Sequence, residues 1–420
     1  MNEQERRAHG ALWVISSSQR ISSWALVLLT AVLLIPAPAF AQLAVKASAS
    51  GSYQYNSNVF DLQTGFPVFG TNDYRRADSY YAYGGTLALN DQVSQQNLYL
   101  TAGDTEFTYD HFTQLTHDEY HVDAGWNWKL GLDLDGTFDV SRSRTMVAFT
   151  EVVQQYLALD TEQRETANIG FQFLPQWRVE ANGYTRKLQE PLPGQPNLQL
   201  TESQVGGVLK YGGMAALASG LSASYSHGDF TATNGVFNPQ YDQKTAELVA
   251  TYRPSASSGT IGLSGRSTFD GAVGYSERTS PVSFDKASGL TGHLDYSNQL
   301  TGKTSAQVAL DRVINSYVTN TGSEIDTSAS ATVLWQATYK TGISAAYTWT
   351  YRNLPDQGFI PGTTRDDHLQ FVSLTVDYEP LRWLAIKPYA NIQTRTSNYF
   401  GGNFNATVYG ATFTVQWQNR

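Results

Sequence analysis

Four aspartates, Asp123, Asp133, Asp135 and Asp139, stand at odd positions in two neighbouring segments whose even positions are mostly apolar. A second run sets Arg178, Glu180, Asn182, Tyr184 and Arg186 at every other residue. Alternate side chains of an extended chain share one face, so each run presents its polar groups together. The aspartates could favour cations or accept hydrogen bonds from sugar hydroxyls; equally, they could form a solvated wall of scattered charge. In the second run, opposed charges across a wet passage would set up a transverse field, or Arg178 and Glu180 would simply neutralise each other. His117 and His121 could share zinc on a helix. On a strand they lie roughly 13 Å apart at about 3.3 Å per residue, too far for one ion, and they read as histidines of a wet rim. No nucleophile with a positioned base stands out, so neither enzyme activity nor a cofactor is expected.

The elements carrying these residues are strands. Tyr120, Val122, Ala124, Trp126 and Trp128 alternate with His121, Asp123, Gly125 and Asn127. Leu132, Leu134, Gly136, Phe138 and Val140 alternate with Asp133, Asp135, Thr137 and Asp139. The same pattern covers Ile343 to Arg352 and Tyr409 to Trp417. One face is aliphatic or aromatic, and the other is small or polar. A soluble barrel hides its bulky face, whereas a membrane barrel turns that face to lipid and keeps the small polar one around a wet lumen.

An aromatic landmark recurs along the chain: Trp128, Phe173, Tyr211, Tyr252, Tyr296, Trp335, Tyr378 and Trp417, 38 to 45 residues apart. Each period holds two strands, a short turn and a longer loop. The landmarks read as an aromatic girdle at the periplasmic rim. Leu89 continues the series one period upstream, and short turns follow it and the landmarks up to Tyr378 at Asn90–Val93, Leu130–Gly131, Leu174–Gln176, Gly212–Ala215, Pro254–Ser257, Asn298–Lys303, Thr338–Thr341 and Glu379–Arg382. The expected fold is all-β: an antiparallel up-and-down transmembrane barrel of about 18 strands, or 16 with one hairpin fewer, and without a plug domain. A propeller has a similar repeat but needs four strands per period. Long loops are expected at 60–78, 144–159, 190–197, 227–241, 271–285, 315–324, 353–365 and 396–404, with a shorter one near 110–115. Loop 145–159 is unusually apolar; it either folds into the lumen or extends the strands that flank it.

Arg6, Arg7 and Arg20 precede the apolar run from Trp24 to Ile35, and Ala39-Phe40-Ala41 follows. This is the pattern of a secretory signal peptide over residues 1–41, with the barrel over 42–420. Removing that segment leaves 25 basic and 35 acidic residues. An acidic balance argues against nucleic acid as a partner. Cysteine is absent, which rules out disulfides, thiolate metal sites and a lipoprotein anchor.

The opening strand ends in Gly51-Ser-Tyr-Gln-Tyr-Asn-Ser-Asn-Val-Phe60. This stretch resembles the Tyr-x-(Asn/Asp)-x-Asn-(Val/Ile)-(Phe/Tyr) opening of outer-membrane β-barrel porins associated with exopolysaccharide secretion. The barrel layout from about Leu43 to Trp417 is compatible with that family. The chain departs from many outer-membrane proteins in ending on Gln418-Asn419-Arg420 rather than on an aromatic residue. The resemblance implies a bacterial outer-membrane conduit for a secreted polysaccharide, set in lipid and lipopolysaccharide and fed by periplasmic polysaccharide-export proteins. Two other readings stand beside it: a general or selective diffusion porin for small hydrophilic solutes, and a structural or adhesive barrel.

Overall fold

The computed structural model describes residues 43–68, 74–149, 156–190, 198–212, 216–232, 240–253, 267–280, 286–317, 322–355 and 364–419. The signal-peptide segment and the turn expected at 254–257 lie outside the described residues. The strands are β1 (Ala44–Asn56), β2 (Asp78–Val93), β3 (Gln96–Tyr109), β4 (His117–Leu130), β5 (Leu134–Met146), β6 (Leu159–Leu174), β7 (Trp177–Glu190), β8 (Leu198–Tyr211) and β9 (Leu217–Ala232). They continue with β10 (Gln240–Tyr252), β11 (Ser267–Thr279), β12 (Lys286–Gln299), β13 (Thr304–Tyr317), β14 (Gly322–Thr338), β15 (Thr341–Leu354), β16 (Arg365–Leu381), β17 (Leu384–Ser397) and β18 (Phe404–Gln418). Each strand pairs antiparallel with its sequence neighbours, and β1 pairs with β18, so the 18-stranded sheet closes on itself. Closure gives every strand a paired neighbour on each side, the condition for crossing lipid with strands.

The alternation decides which face is which. Tyr53, Val122, Trp126, Phe138, Ile169, Leu209, Leu248, Val273, Tyr347 and Val415 are all exposed. Ladder partners share a face, and these residues sit opposite one another, as Leu209 does with Leu221, Leu221 with Leu248 and Leu248 with Val273. Their face is the barrel exterior. The inner face carries the intervening residues, such as Ser48, Ser50 and Ser52 of β1 and Ser222, Ser224 and Ser226 of β9.

Several boundaries differ from the sequence reading. At Asn90–Val93 the ladder runs on to Val93↔Gln96, so the turn is Ser94-Gln95, with Ser94 at φ 55°. The turn after β4 takes up Gly131, at φ +66°, together with Leu132 and Asp133. Leu132 is therefore a turn tip, 80% exposed, and not a lipid-facing strand residue. The loop expected at 271–285 is mostly strand, because β11 covers Ser267–Thr279; its Gly- and Ser-rich sequence alternates too weakly to announce itself.

At the rim that carries the short turns, Phe173, Tyr211, Trp335, Tyr378 and Trp417 are exposed on the outer face. Trp128 is half-buried with its ring 6.0 Å from Trp126, and Tyr296 shares its hydroxyl with Ser267 and Asn298. Tyr252 departs from the girdle reading. It is only 5% exposed, with Leu217 and Phe269 as its ladder partners.

Candidate functional site

The inner wall is the surface that can do chemistry, and its charges fall into three bands. The first lies on β4 to β8. Asp123, Asp135 and Asp139 pair with Thr101, Lys129 and Gly125 on the inner face. Asp133 does not join them, because it belongs to the turn; its carbonyl accepts a hydrogen bond from the Gln172 amide at 2.8 Å. Asp139 accepts from the Tyr99 hydroxyl across Gly125, where any side chain would overlap both groups. Asp135 is held by Arg178, whose Nε also donates to Glu180 at 2.7 Å, while Lys210 reaches Glu180 at 2.8 Å. The run with Arg178 and Glu180 is thus a chain of alternating charge that extends to a neighbouring strand. The strand pairing supplied Lys210 and Asp135, which no local spacing could show.

The second band crosses β6 to β11. Arg186 donates to Glu162 at 3.0 Å. Tyr184 and Tyr241 both donate their hydroxyls to Glu202, which is buried between them. Arg164 lies over the Tyr184 ring at 4.3 Å, and Arg278 lies over the Tyr241 ring at 4.0 Å. Arg164, Tyr184, Arg186, Glu202 and Arg278 line a cavity of about 430 Å³ together with Ser224. Sequence reading found Tyr184 and Arg186 but missed Arg164, Glu202, Tyr241 and Arg278, which lie on other strands.

The third band is acidic and lies on β10 to β13. Asp270 faces Asp295 directly across the ladder, and His293 faces Asp311. His293 Nε2 lies 3.2 Å from Asp270, and Glu247 stands one strand away on the same face. At the short-turn end a further cavity of about 580 Å³ is lined by Lys303, Lys340, Asp377, Glu379 and Lys387 among others.

The outer mouth has its own core. Val59, Phe60, Val68, Tyr109, Phe112, Leu115, Val147, Phe149 and Ala158 are buried together. Phe60 meets Phe112 at 4.8 Å and Phe149 at 5.0 Å. Asn58 secures the chain entering this cluster: its amide group donates to the carbonyls of Leu62 and Asn405, and its side-chain oxygen accepts from the Leu62 amide. In its described part the apolar loop 145–159 extends the strands that flank it and packs against the other loops of the mouth. Val147 still bonds to Ala158, extending the flanking ladder, while Phe149 folds into the cluster. His117 is buried, stacked on Phe107 at 4.9 Å with Nδ1 2.6 Å from the Leu115 carbonyl. It is therefore not a histidine of a wet rim. The cause is the cluster itself, since Phe107 packs against it and Tyr109 belongs to it. Among the described residues no group of three or more His, Asp or Glu is placed to hold a metal ion.

Closed wall, apolar exterior and polar interior define the class: an outer-membrane-type β-barrel. No protein-family model matches the chain, and neither does any curated protein. Among solved structures the chain is similar to the siderophore receptor PirA from Pseudomonas aeruginosa, with 10% identity and a TM-score of 0.43 over 89% of this chain and 80% of that one. It is also similar to OpdL from Pseudomonas aeruginosa, with 13% identity and a TM-score of 0.43 over 90% of this chain and 99% of that one. The siderophore receptor PiuA from Acinetobacter baumannii gives 9% identity and a TM-score of 0.46 over 90% and 82%.

Proposed function

We propose that the chain is a passive outer-membrane conduit for a hydrophilic polymer, a secreted polysaccharide, delivered by periplasmic export proteins after removal of residues 1–41. The observation that carries this reading is the inner wall. Hydroxyls and amides line it on many strands, and much of its fixed charge, as at Arg178, Glu180 and Lys210, is already paired within the wall. Such a surface offers many weak, exchangeable hydrogen bonds and few strong traps, which is what a sliding sugar chain requires. Eighteen strands fall in the size range that encloses an aqueous passage. Outside, acyl chains would meet the apolar belt, while Arg142, Lys187 and Lys244, exposed nearer the outer rim, would meet lipopolysaccharide head groups. The reaction is transport alone, with no catalytic group assigned.

Deletion of the gene followed by assay of surface polysaccharide tests the reading: loss of polymer with unchanged small-solute uptake is expected, and intact secretion overturns it. A diffusion porin is the second reading, favoured by the acidic band at Asp270, Asp295 and Asp311, which would select small cations. That reading requires steady conductance in planar bilayers. A purely adhesive barrel would conduct nothing.

A further inference from the structure

The wall of this barrel has a seam. Pairing between β12 and β13 stops at Gly292↔Arg312, although β12 stays paired to β11 as far as Lys286 and β13 to β14 as far as Tyr317. Two separate two-stranded ends therefore stand at the outer rim where one continuous wall is expected. The edges so exposed are served by side chains instead of by each other. Arg312 Nε donates to the Leu290 carbonyl on the β12 edge at 3.0 Å. Arg278 of β11 donates to the Asn315 carbonyl on the β13 edge at 2.9 Å and approaches that of Ile314 at 3.4 Å.

The direction of the displacement follows from burial. Arg278 is an inner-face residue, 3% exposed, yet it reaches the backbone of β13. Thr291 and Ser276, which bond each other at 2.7 Å, are buried, and so is Ile314. Ile314 and Asn315 also line the inner cavity with Tyr184, Arg186 and Glu202. The outer end of β13–β14 thus tucks inside the wall and overlaps the inner face of β11–β12.

We propose that this end is a gate: tucked in, it narrows the lumen beside the second band, and swung out, it resumes the β12 ladder and widens the passage. The sequence suits both positions. Continuing the register of Gly292↔Arg312 sets Leu290 opposite Ile314. Leu290 already faces outward, 67% exposed, so a released Ile314 would join the apolar belt. Its side chain is sheltered in one state and lipid-facing in the other. Arg278 is the latch, since its bonds to the β13 carbonyls exist only in the tucked state. The proposal rests on the chain's being a channel, but not on which solute passes.

The chain has no cysteine, so paired cysteines report the motion cleanly. Leu290→Cys with Ile314→Cys would be ladder neighbours only when the gate is out, at a separation a disulfide can bridge. Ser297→Cys with Gln307→Cys, already partners in the ladder, serves as the positive control. In outer membranes under mild oxidation, the Leu290/Ile314 pair should cross-link, and severalfold faster when Arg278→Gln is added. Purified cross-linked channels should conduct more than the same channels after reduction. If the control cross-links while the Leu290/Ile314 pair does not in either background, the swing is overturned. If the pair cross-links and conductance is unchanged, the gating role is overturned. The cross-link is read without any substrate, so these outcomes stand apart from whether polysaccharide secretion depends on the protein.

Discussion

The two sides of the outer mouth are held in place by unlike forces. Over β1 to β6 the loops form an aromatic and aliphatic core in which Phe60, Phe112 and Phe149 interlock. Over β11 to β14 the wall is parted, and arginines serving backbone carbonyls hold the tucked end. An apolar core resists by burying area and has no single bond on which it depends. A latch of a few directed hydrogen bonds is strong in one geometry and weak a little way from it. The difference teaches where motion belongs: the first side is a fixed cap, and the second is the part that can move.

The largest effect expected is at the cap. Phe60 is 2% exposed, and Phe60→Ala should cost the cap about 3–5 kcal/mol, as buried aromatic truncations do. Hydrogen exchange of residues 57–68 should rise sharply while cross-linking at the seam stays at its wild-type rate. Equal changes on both sides would break the distinction between them. A smaller effect is expected at Glu202→Gln, which replaces a buried charged acceptor of two tyrosine hydroxyls. A loss of about 1–3 kcal/mol is expected there, because hydrogen bonds to charged groups are the stronger kind. It should loosen Tyr241 under Arg278 and so raise cross-linking at the seam without touching the cap. A third effect is electrical: Asp270→Asn, Asp295→Asn and Asp311→Asn together should bring the reversal potential in a salt gradient toward the value of an unselective pore. An unaltered reversal potential would remove the third band from the selectivity path.

The sequence made the wall legible because a strand pattern is local: the alternation from Tyr120 to Val140 names one face as soon as it is read. Charge runs on a single strand, such as Arg178 to Arg186, were legible for the same reason. Glu202, Tyr241 and Arg278 were not, since they meet only through the register of β7 to β11. The error at Asp133 has a related origin. Alternation continues smoothly through Leu132 and Asp133, and only the left-handed Gly131 shows that the chain is turning there. The burial of Tyr252 was not legible because an aromatic at the right period looks the same whether it is covered or open to lipid. The seam left no mark at all, because broken pairing between two strands leaves the alternation within each intact.

The smallest expected effect discriminates most sharply, because it is confined to one side. Asp61 sits in the cap's first loop at φ 51°, and burial pushes its carboxyl up to about 7 while Arg395 pulls against that rise. A carboxyl whose folded value lies above its unfolded one near 3.8 binds its proton more tightly in the folded cap. Its contribution is complete below about pH 4 and is lost as pH rises through about 7. Exchange of the cap amides, corrected for intrinsic chemistry, should therefore be slower at pH 5 than at pH 8. Asp61→Asn keeps a residue that tolerates the left-handed backbone and removes the titration, so it should flatten that dependence. Seam cross-linking should show no matching dependence on Asp61, since the arginine latch carries its charge throughout this range. If the seam follows the cap with pH, and ceases to do so in Asp61→Asn, the two sides are one coupled lid.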